Sequence, residues 1–428
     1  MDRKREFAEY VSALAETLGH ADRVEPLGDY CRGLILSGER KSIEPMAALV
    51  APRGVSAKHQ SLHHFVAKAD WSDASVLSAV RREVLPTLGA IEAWIVDDTG
   101  YPKKGKHSVG VARQYCGQLG KQDNCQVAVS VSVANERGSL PIDYRLYLPR
   151  EWAADPERRR TTQVPASMEF ATKTAIALAQ LQRARAEQVP SGVVLADAAY
   201  GNDVDFRDGI SALGLTYAVG IQSSTTVWAP GHEPLAPRGY WGRGRPGVHL
   251  RRDPKHQPID VNGLAHELPA RAWRRIHWRE GSAGPLASRF ARVRVRAAHR
   301  DEVRAEEWLV IEWPLGETEP TKYWLSTLPQ NITFKELVRL IKLRWRIERD
   351  YQELKQELGL GHYEGRNWRG FHHHATLSIA AYGFLMRSRL TSRSKKNRVL
   401  RDPPLRRPPQ PKNFIPRGSP RAARTSYR

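Results

Sequence analysis

Asp97 and Asp98 stand side by side after a short apolar run, inside the stretch WIVDDTGYPKKGKH at 94–107. The stretch supports two chemistries. Read from Gly100 it spells G-x-x-x-x-G-K, most of a loop that cradles nucleotide phosphates with backbone N–H groups and a lysine, here Lys106. Read from Trp94 it is a buried strand that pushes two carboxylates towards solvent, as a metal-dependent nuclease requires. Local residues oppose the P-loop NTPase reading. His107 stands where Ser or Thr would ligate the metal, Pro102 removes a backbone N–H, and SVGVARQYCGQLG is a poor start for the helix that should receive the phosphate.

A carboxylate pair needs partners to hold metal. VVLAD (193–197) ends a second apolar run on Asp197, and a helical pattern carries Glu348 between Arg344 and Lys355. Magnesium takes oxygen ligands and keeps several waters, so a few carboxylates plus a substrate phosphate can hold two ions. Such a pair activates water or a 3′ hydroxyl and stabilises the leaving oxygen. If Asp97, Asp197 and Glu348 converge, the chemistry is phosphodiester cleavage or transfer with two Mg2+ ions, Mn2+ being a possible substitute.

The elements that must position these acids read as follows. Residues 1–88 are expected to form an N-terminal helical DNA-binding domain: Phe7, Val11, Leu14 and Leu18 recur at helical spacing before Gly19, Ser42 can cap a turn, and a helix from Ser56 turns Lys58, His59 and His63 outward. From 89 to 221 the pattern is strand Ala93–Val96, alternation over Val127–Val133 and Ile142–Leu148, an Ala-rich helix near 167–187, strand VVLAD, a helix near 203–213 and strand TYAVGI. Three antiparallel strands, then helix, strand, helix and strand, give an α/β mixed sheet with flanking helices in RNase H-like order. Residues 222–325 interrupt it with a β-rich insertion, in which Arg292, Arg294 and Arg296 share one face of a strand. Residues 326–390 complete the core. There one long helix, capped by Thr333 with Glu336 and closed by Gly359, would present Leu340, Ile347, Tyr351, Leu354 and Leu358 as its apolar stripe, with Arg344, Glu348 and Lys355 on the flank. His372, His373 and His374 read as helix-start residues near DNA.

The chain's formal charge is +21, and a protein that basic usually meets a polyanion. Residues 391–428 hold twelve Lys or Arg against the single acid Asp402, with seven prolines, and read as a disordered basic tail. Cys31, Cys116 and Cys125 form no C-x-x-C pair, which disfavours a disulfide framework or zinc site. No signal peptide or membrane span is expected, so the location reads as cytoplasmic or nucleoid-associated.

IVDDTG (95–100), LADAAYG (195–201) and RWRIERDYQELK (344–355) resemble the three catalytic blocks of DDE-type bacterial insertion-sequence transposases. The resemblance is to the branch with a β-rich insertion between the second and third acids and a Y-x2-R-x3-E-x6-K signature. Arg344, Glu348 and Lys355 match its R, E and K in spacing and type, and Ile341 departs from its tyrosine. The resemblance implies that Asp97, Asp197 and Glu348 bind the two metal ions while Arg344 and Lys355 hold phosphates. Strand side chains alternate, so only one of the adjacent acids points inward; the family's D-x-T spacing, read with Thr99, selects Asp97 and leaves Asp98 as the alternate. Lys103, Lys104, Lys106 and His107 would meet the DNA backbone beside the site. Relatives stack a flipped base on an aromatic ring, a role open to Tyr323 or Trp324. The expected function is a DNA transposase, a homodimer on double-stranded DNA, that cleaves terminal inverted repeats and joins them to target DNA. The alternative is a non-catalytic DNA-binding protein or a decayed transposase.

Overall fold

Five helices open the chain in the computed structural model, which describes residues 3–237, 242, 249–281, 284–299 and 301–396. They are α1 (Arg3–Ala15), α2 (Val24–Ile35), α3 (Ile43–Val50), α4 (Val55–Ala67) and α5 (Asp73–Leu88). Leu14, Leu18, Leu27, Leu34 and Leu62 are buried among them, as the helical spacing requires. Lys58 does not face outward freely: its ammonium pairs with Glu25 and Asp29 of α2 at 2.7 and 2.5 Å.

The strands β1 (Ala93–Pro102), β2 (Ala112–Cys116), β3 (Lys121–Ala134) and β4 (Ser139–Leu146) follow. β1 runs past its apolar start through both aspartates, because β3 pairs with it along the whole length, from Ala93 opposite Ala134 to Pro102 opposite Cys125. Asp97 therefore lies inside the strand and does not end it. β2 and β4 share the far edge of β3, so the expected three-stranded meander carries an extra hairpin strand, ARQYC, too short to read by alternation. After the short helices α6 (Arg150–Ala153) and α7 (Pro156–Thr161), α8 (Lys173–Ala186) leads to β5 (Val193–Ala196), which lies parallel to β1. Then α9 (Ala198–Gly201) and α10 (Val204–Ala212) lead to β6 (Tyr217–Ile221), parallel to β5. Antiparallel strands on one side of β1 and parallel ones on the other make this an RNase H-like mixed sheet flanked by helices.

The β-rich segment does not form a sheet of its own. β7 (Thr226–Trp228), β8 (Ile259–Asp260), α11 (Val261–Glu267), β9 (Arg274–Gly281), β10 (Gly284–Ala297), β11 (Glu306–Trp313) and β12 (Lys322–Ser326) extend the core sheet in the order β2-β3-β1-β5-β6-β12-β11-β10-β7-β8. The junction is β12 against β6, Tyr323 opposite Ile221 through Ser326 opposite Ala218. YWLS is buried throughout, and a strand buried on both faces needs neighbours on both edges.

The helix expected over 333–358 is broken into α12 (Phe334–Lys342), α13 (Trp345–Gln352) and a π-helical turn, Glu353–Glu357. At the break, tighter bonds appear: Leu343 N–H to Leu340 O at 3.0 Å and Ile347 N–H to Arg344 O at 3.1 Å. Thr333 caps α12 by accepting from Glu336 N–H at 3.2 Å, but the Glu336 carboxylate turns to Arg339 and the cap is one-sided. The predicted stripe holds for Ile347, Tyr351, Leu354 and Leu358; on α12 the buried residues are instead Leu337, Val338 and Ile341, and Leu340 is half-buried. The i→i−3 bonds at the break shift the register between α12 and α13, so the stripe of α13 and the π-turn does not continue into α12.

α14 (Trp368–Lys396) threads between the N-terminal helices and β4. Tyr10 O–H donates to Ala380 O at 2.9 Å, and one apolar cluster joins these helices to the sheet. His372, His373 and His374 are consequently buried rather than near DNA. His374 Nδ1 meets Tyr30 O–H at 2.8 Å while Nε2 meets Gly359 O at 3.0 Å. α14 also continues through Lys396, into the expected tail; residues 397–428 lie outside the described residues. All three cysteines are free and buried, and no described helix is long and apolar enough to cross a membrane.

Candidate active site

β1 and β5 lie next to each other in the sheet, and α13 packs against β1 and β4. That arrangement brings Asp97 and Asp197 to the guanidinium of Arg344, which also meets Glu348 one turn along its own helix. Arg344 Nη2 lies 3.2 Å from Asp97 Oδ1 and 3.5 Å from Asp197 Oδ2, and its Nη1 lies 3.7 Å from Glu348 Oε1. The three acids come from a strand interior, a helix N-cap and a helix face. Asp197 holds its place by accepting Ala199 N–H at 2.9 Å as the cap of α9. Gly220 lets β6 approach this turn, since a Cβ there would sit 3.0 Å from Ala198 N and 3.2 Å from the Asp197 carbonyl carbon.

Alternation along β1 separates the adjacent acids. Asp98 turns to Lys173 Nζ at 3.0 Å and accepts from Tyr200 O–H at 3.3 Å, so its charge is answered by partners other than Arg344. Burial pushes the Asp97 carboxyl up to about 7, against the pull of Arg344 and with the help of Asp197 and Asp98. Burial opposes the Arg344 charge as well, but the three carboxylates outweigh it and hold the guanidinium above its ordinary value.

A cleft of about 300 Å³ opens beside the acids, lined by Asp98, Gly100, Gln118, Glu348, Tyr351 and Lys355. Lys355, its pKa lowered by burial, donates to Gly100 O at 2.9 Å and sits over the Tyr101 ring. Tyr351 closes the floor through its hydroxyl, 2.6 Å from Ser130 Oγ. Asp97, Asp197 and Glu348, against the one guanidinium of Arg344, form a net negative cluster beside this cleft, and each of the three offers only carboxylate oxygens. That set suits Mg2+ or Mn2+ rather than zinc. Among the described residues no three His, Cys, Asp or Glu side chains are closed around a common point as a finished metal cage. Arg344 stands between the acids.

Other expected site residues fare differently. Lys104, Lys106 and His107 are exposed on the loop after β1, whereas Lys103 turns inward to Tyr363 O at 2.8 Å. Gly100 is paired in the sheet opposite Val127, so the supposed phosphate loop begins inside a strand and its N–H groups cannot cradle a nucleotide. Arg292, Arg294 and Arg296 are half-buried and donate to Ile332 O, Glu306 O and Arg304 O, with Arg292 and Arg294 also over the Trp308 ring. Their shared face is engaged within the protein instead of lying open as a basic face. Tyr323 and Trp324 are 4% and 8% exposed, Tyr323 donating to Asn262 at 2.7 Å, so neither ring can receive a base here.

What residue reading missed is a second pocket, about 320 Å³, on the neighbouring face of α13. Arg279 and Arg346 lie over the Trp345 ring at 3.7 and 4.4 Å, and Trp278 and Lys342 join them. The signal was available: Trp345 sits between Arg344 and Arg346, off the apolar stripe of Ile347 and Tyr351.

Asp97 in β1, Asp197 in the turn after β5 and Glu348 on α13 are thus the acids that meet Arg344 in an RNase H-like fold. A sequence-family profile described as "DDE superfamily endonuclease" matches residues 13–285, and the chain belongs to that family. The match ends before Glu348. Over 198 residues the chain is 32% identical to the "Probable transposase for insertion sequence element IS701" of Microchaete diplosiphon, covering 46% of this chain and 48% of that protein. The aligned region thus spans about half the relative's length.

Proposed function

We propose that the protein is a DNA transposase that binds the terminal inverted repeats of an insertion sequence, cleaves the DNA ends and transfers them to target DNA, with Asp97, Asp197 and Glu348 as metal ligands. The observation that carries this reading is that Arg344, one turn before Glu348 on α13, reaches Asp97 of β1 at 3.2 Å and Asp197 of the turn after β5 at 3.5 Å. Two bound Mg2+ or Mn2+ ions would supply nucleophile activation and leaving-oxygen stabilisation. The chain's own residues do the rest. Asp98, tied to Lys173 and Tyr200, fixes β1 against the turn that carries Asp197. Lys355 stands at the cleft wall, where a desolvated ammonium can meet a phosphate.

Exposed Lys104 and Lys106 on the loop after β1, and exposed Arg274 and Arg275 on β9, are the residues we assign to the DNA backbone. The Trp345 and Trp278 pocket, with Arg279 and Arg346, replaces Tyr323 and Trp324 as the place where a nucleotide near the cut is held, by stacking and by charge. Recognition is shared between the N-terminal helices and this part of the β-rich segment. The active species is a homodimer, because two ends must be paired for productive transfer, and it works in the cytoplasm or on the nucleoid. The test is Mg2+-dependent cleavage of DNA carrying the element's ends. Asp97→Ala, Asp197→Ala and Glu348→Ala should each abolish it; wild-type cleavage by all three would leave a DNA-binding protein without this chemistry.

A further inference from the structure

The acids assigned above to metal ions are answered, in this structure, by the protein itself. Asp98 has its own cation in Lys173, but among the described residues no Lys or Arg other than Arg344 lies within salt-bridge distance of Asp97, Asp197 or Glu348. Arg344 serves all three and grips none of them firmly. Its contacts are 3.2, 3.5 and 3.7 Å, against roughly 2.7–2.9 Å for a well-formed charge-assisted bond, and no carboxylate takes it with two parallel bonds. Its Nε is buried and without a hydrogen-bond partner. A planar fork with five N–H donors is thus held by three long contacts, with capacity left for a bidentate acceptor such as a phosphate.

Charge arithmetic says what must follow when divalent cations arrive. Three carboxylates less one guanidinium leave two negative charges, enough for one divalent cation. Two such cations with Arg344 still in place would make the site strongly positive, and like charges a few ångströms apart repel. A DNA phosphate removes the conflict by giving Arg344 a new partner and adding negative charge. We propose that Arg344 is an exchangeable counter-ion: it holds Asp97, Asp197 and Glu348 until a DNA phosphate draws its guanidinium away, so that divalent-cation loading is coupled to DNA binding. This inference rests on the metal-ligand reading of the three acids. Coupling of this kind is reciprocal, so cation also tightens DNA.

The experiment is Mn2+ binding to the full-length protein, followed by the paramagnetic resonance signal of free Mn2+, with and without a short mixed-sequence DNA duplex and corrected for Mn2+ held by the duplex alone. Without DNA, Arg344→Gln should bind Mn2+ about tenfold more tightly or better than wild type, while Arg344→Lys, which keeps the charge, should stay near wild type. Duplex should tighten Mn2+ binding several-fold in wild type and much less in Arg344→Gln. Melting in EDTA and in Mn2+ guards against a folding artefact: Arg344→Gln should melt lower in EDTA and recover more in Mn2+ than wild type does. Equal Mn2+ affinity of wild type and Arg344→Gln, with Asp97→Asn weakened, overturns the counter-ion and leaves the metal site standing. If Asp97→Asn binds Mn2+ as wild type does, the metal-ligand reading itself fails and the counter-ion falls with it.

Discussion

His374 makes the helical bundle acid-sensitive, and the size of the effect can be worked from its two partners. Tyr30 O–H lies 2.8 Å from Nδ1 and Gly359 O lies 3.0 Å from Nε2, a pairing that only the neutral ring satisfies, accepting at Nδ1 and donating at Nε2. Burial lowers its pKa from 6.5 to about 4, with Lys103 and His362 adding to the effect. The unfolded chain therefore takes up a proton between pH 6.5 and 4 that the folded chain refuses. Stability from this group is fully present above about pH 6.5, lost as pH falls through the window, and gone below about 4. At pH 5 the loss is about 2 kcal/mol, and at the lower end about 3 kcal/mol. The assay is urea unfolding of wild type and His374→Gln from pH 7.5 to 4.5, the glutamine keeping a donor for Gly359 O without titrating. Subtraction removes contributions from His372 and His373. Their difference in unfolding free energy should shift by about 2 kcal/mol between pH 7.5 and 5. Parallel curves would refute the reasoning. Because Gly359 follows the segment that carries Glu348, acid should loosen the cleft as well as the bundle.

Asp97→Asn should reduce end cleavage by at least about a hundredfold, while Asp98→Asn, which removes only the partner of Lys173 and Tyr200, should stay within about tenfold of wild type; equal losses on a cleavage gel would undo the assignment of Asp97. Gly220→Ala forces β6 away from the Asp197 turn and should cost about 1–3 kcal/mol in urea unfolding, with cleavage falling beyond what the unfolded fraction explains; unchanged stability would mean the turn has slack. Tyr351→Phe leaves Ser130 without its partner and should cost about 1 kcal/mol, read as a shift in the urea midpoint; a midpoint equal to wild type would show that water or another hydroxyl replaces it.

The order of core elements along the chain was legible because the strands are apolar or alternating and separated by turns, and VVLAD and DDTG mark two places where acids arrive. The extent of β1 was hidden, since the aspartates look like a strand end until β3 is seen to pair alongside them. The break between α12 and α13 carries no proline or glycine, only L-R-W, so nothing local announced it. Arginines alternating on β10 look solvated in a one-dimensional pattern, yet carbonyls of the next strand and of the loop before α12 claim them together with the Trp308 ring, and such partners lie outside the strand's own pattern. The same limit hid the three histidines, whose partners Tyr30, Val66 and Leu146 lie hundreds of positions upstream. Arg344 was legible by spacing as a phosphate contact and a neighbour of Glu348, whereas its contacts with Asp97 and Asp197 appear only in space.

The most direct test of the site is a crystal of the protein with Mn2+ and a DNA duplex, with data recorded at the manganese edge. The account predicts anomalous density between Asp97, Asp197 and Glu348, with Arg344 turned to a phosphate. Manganese held by Asp98 in place of Asp97, or bound with Glu348 remote from both aspartates, would contradict it.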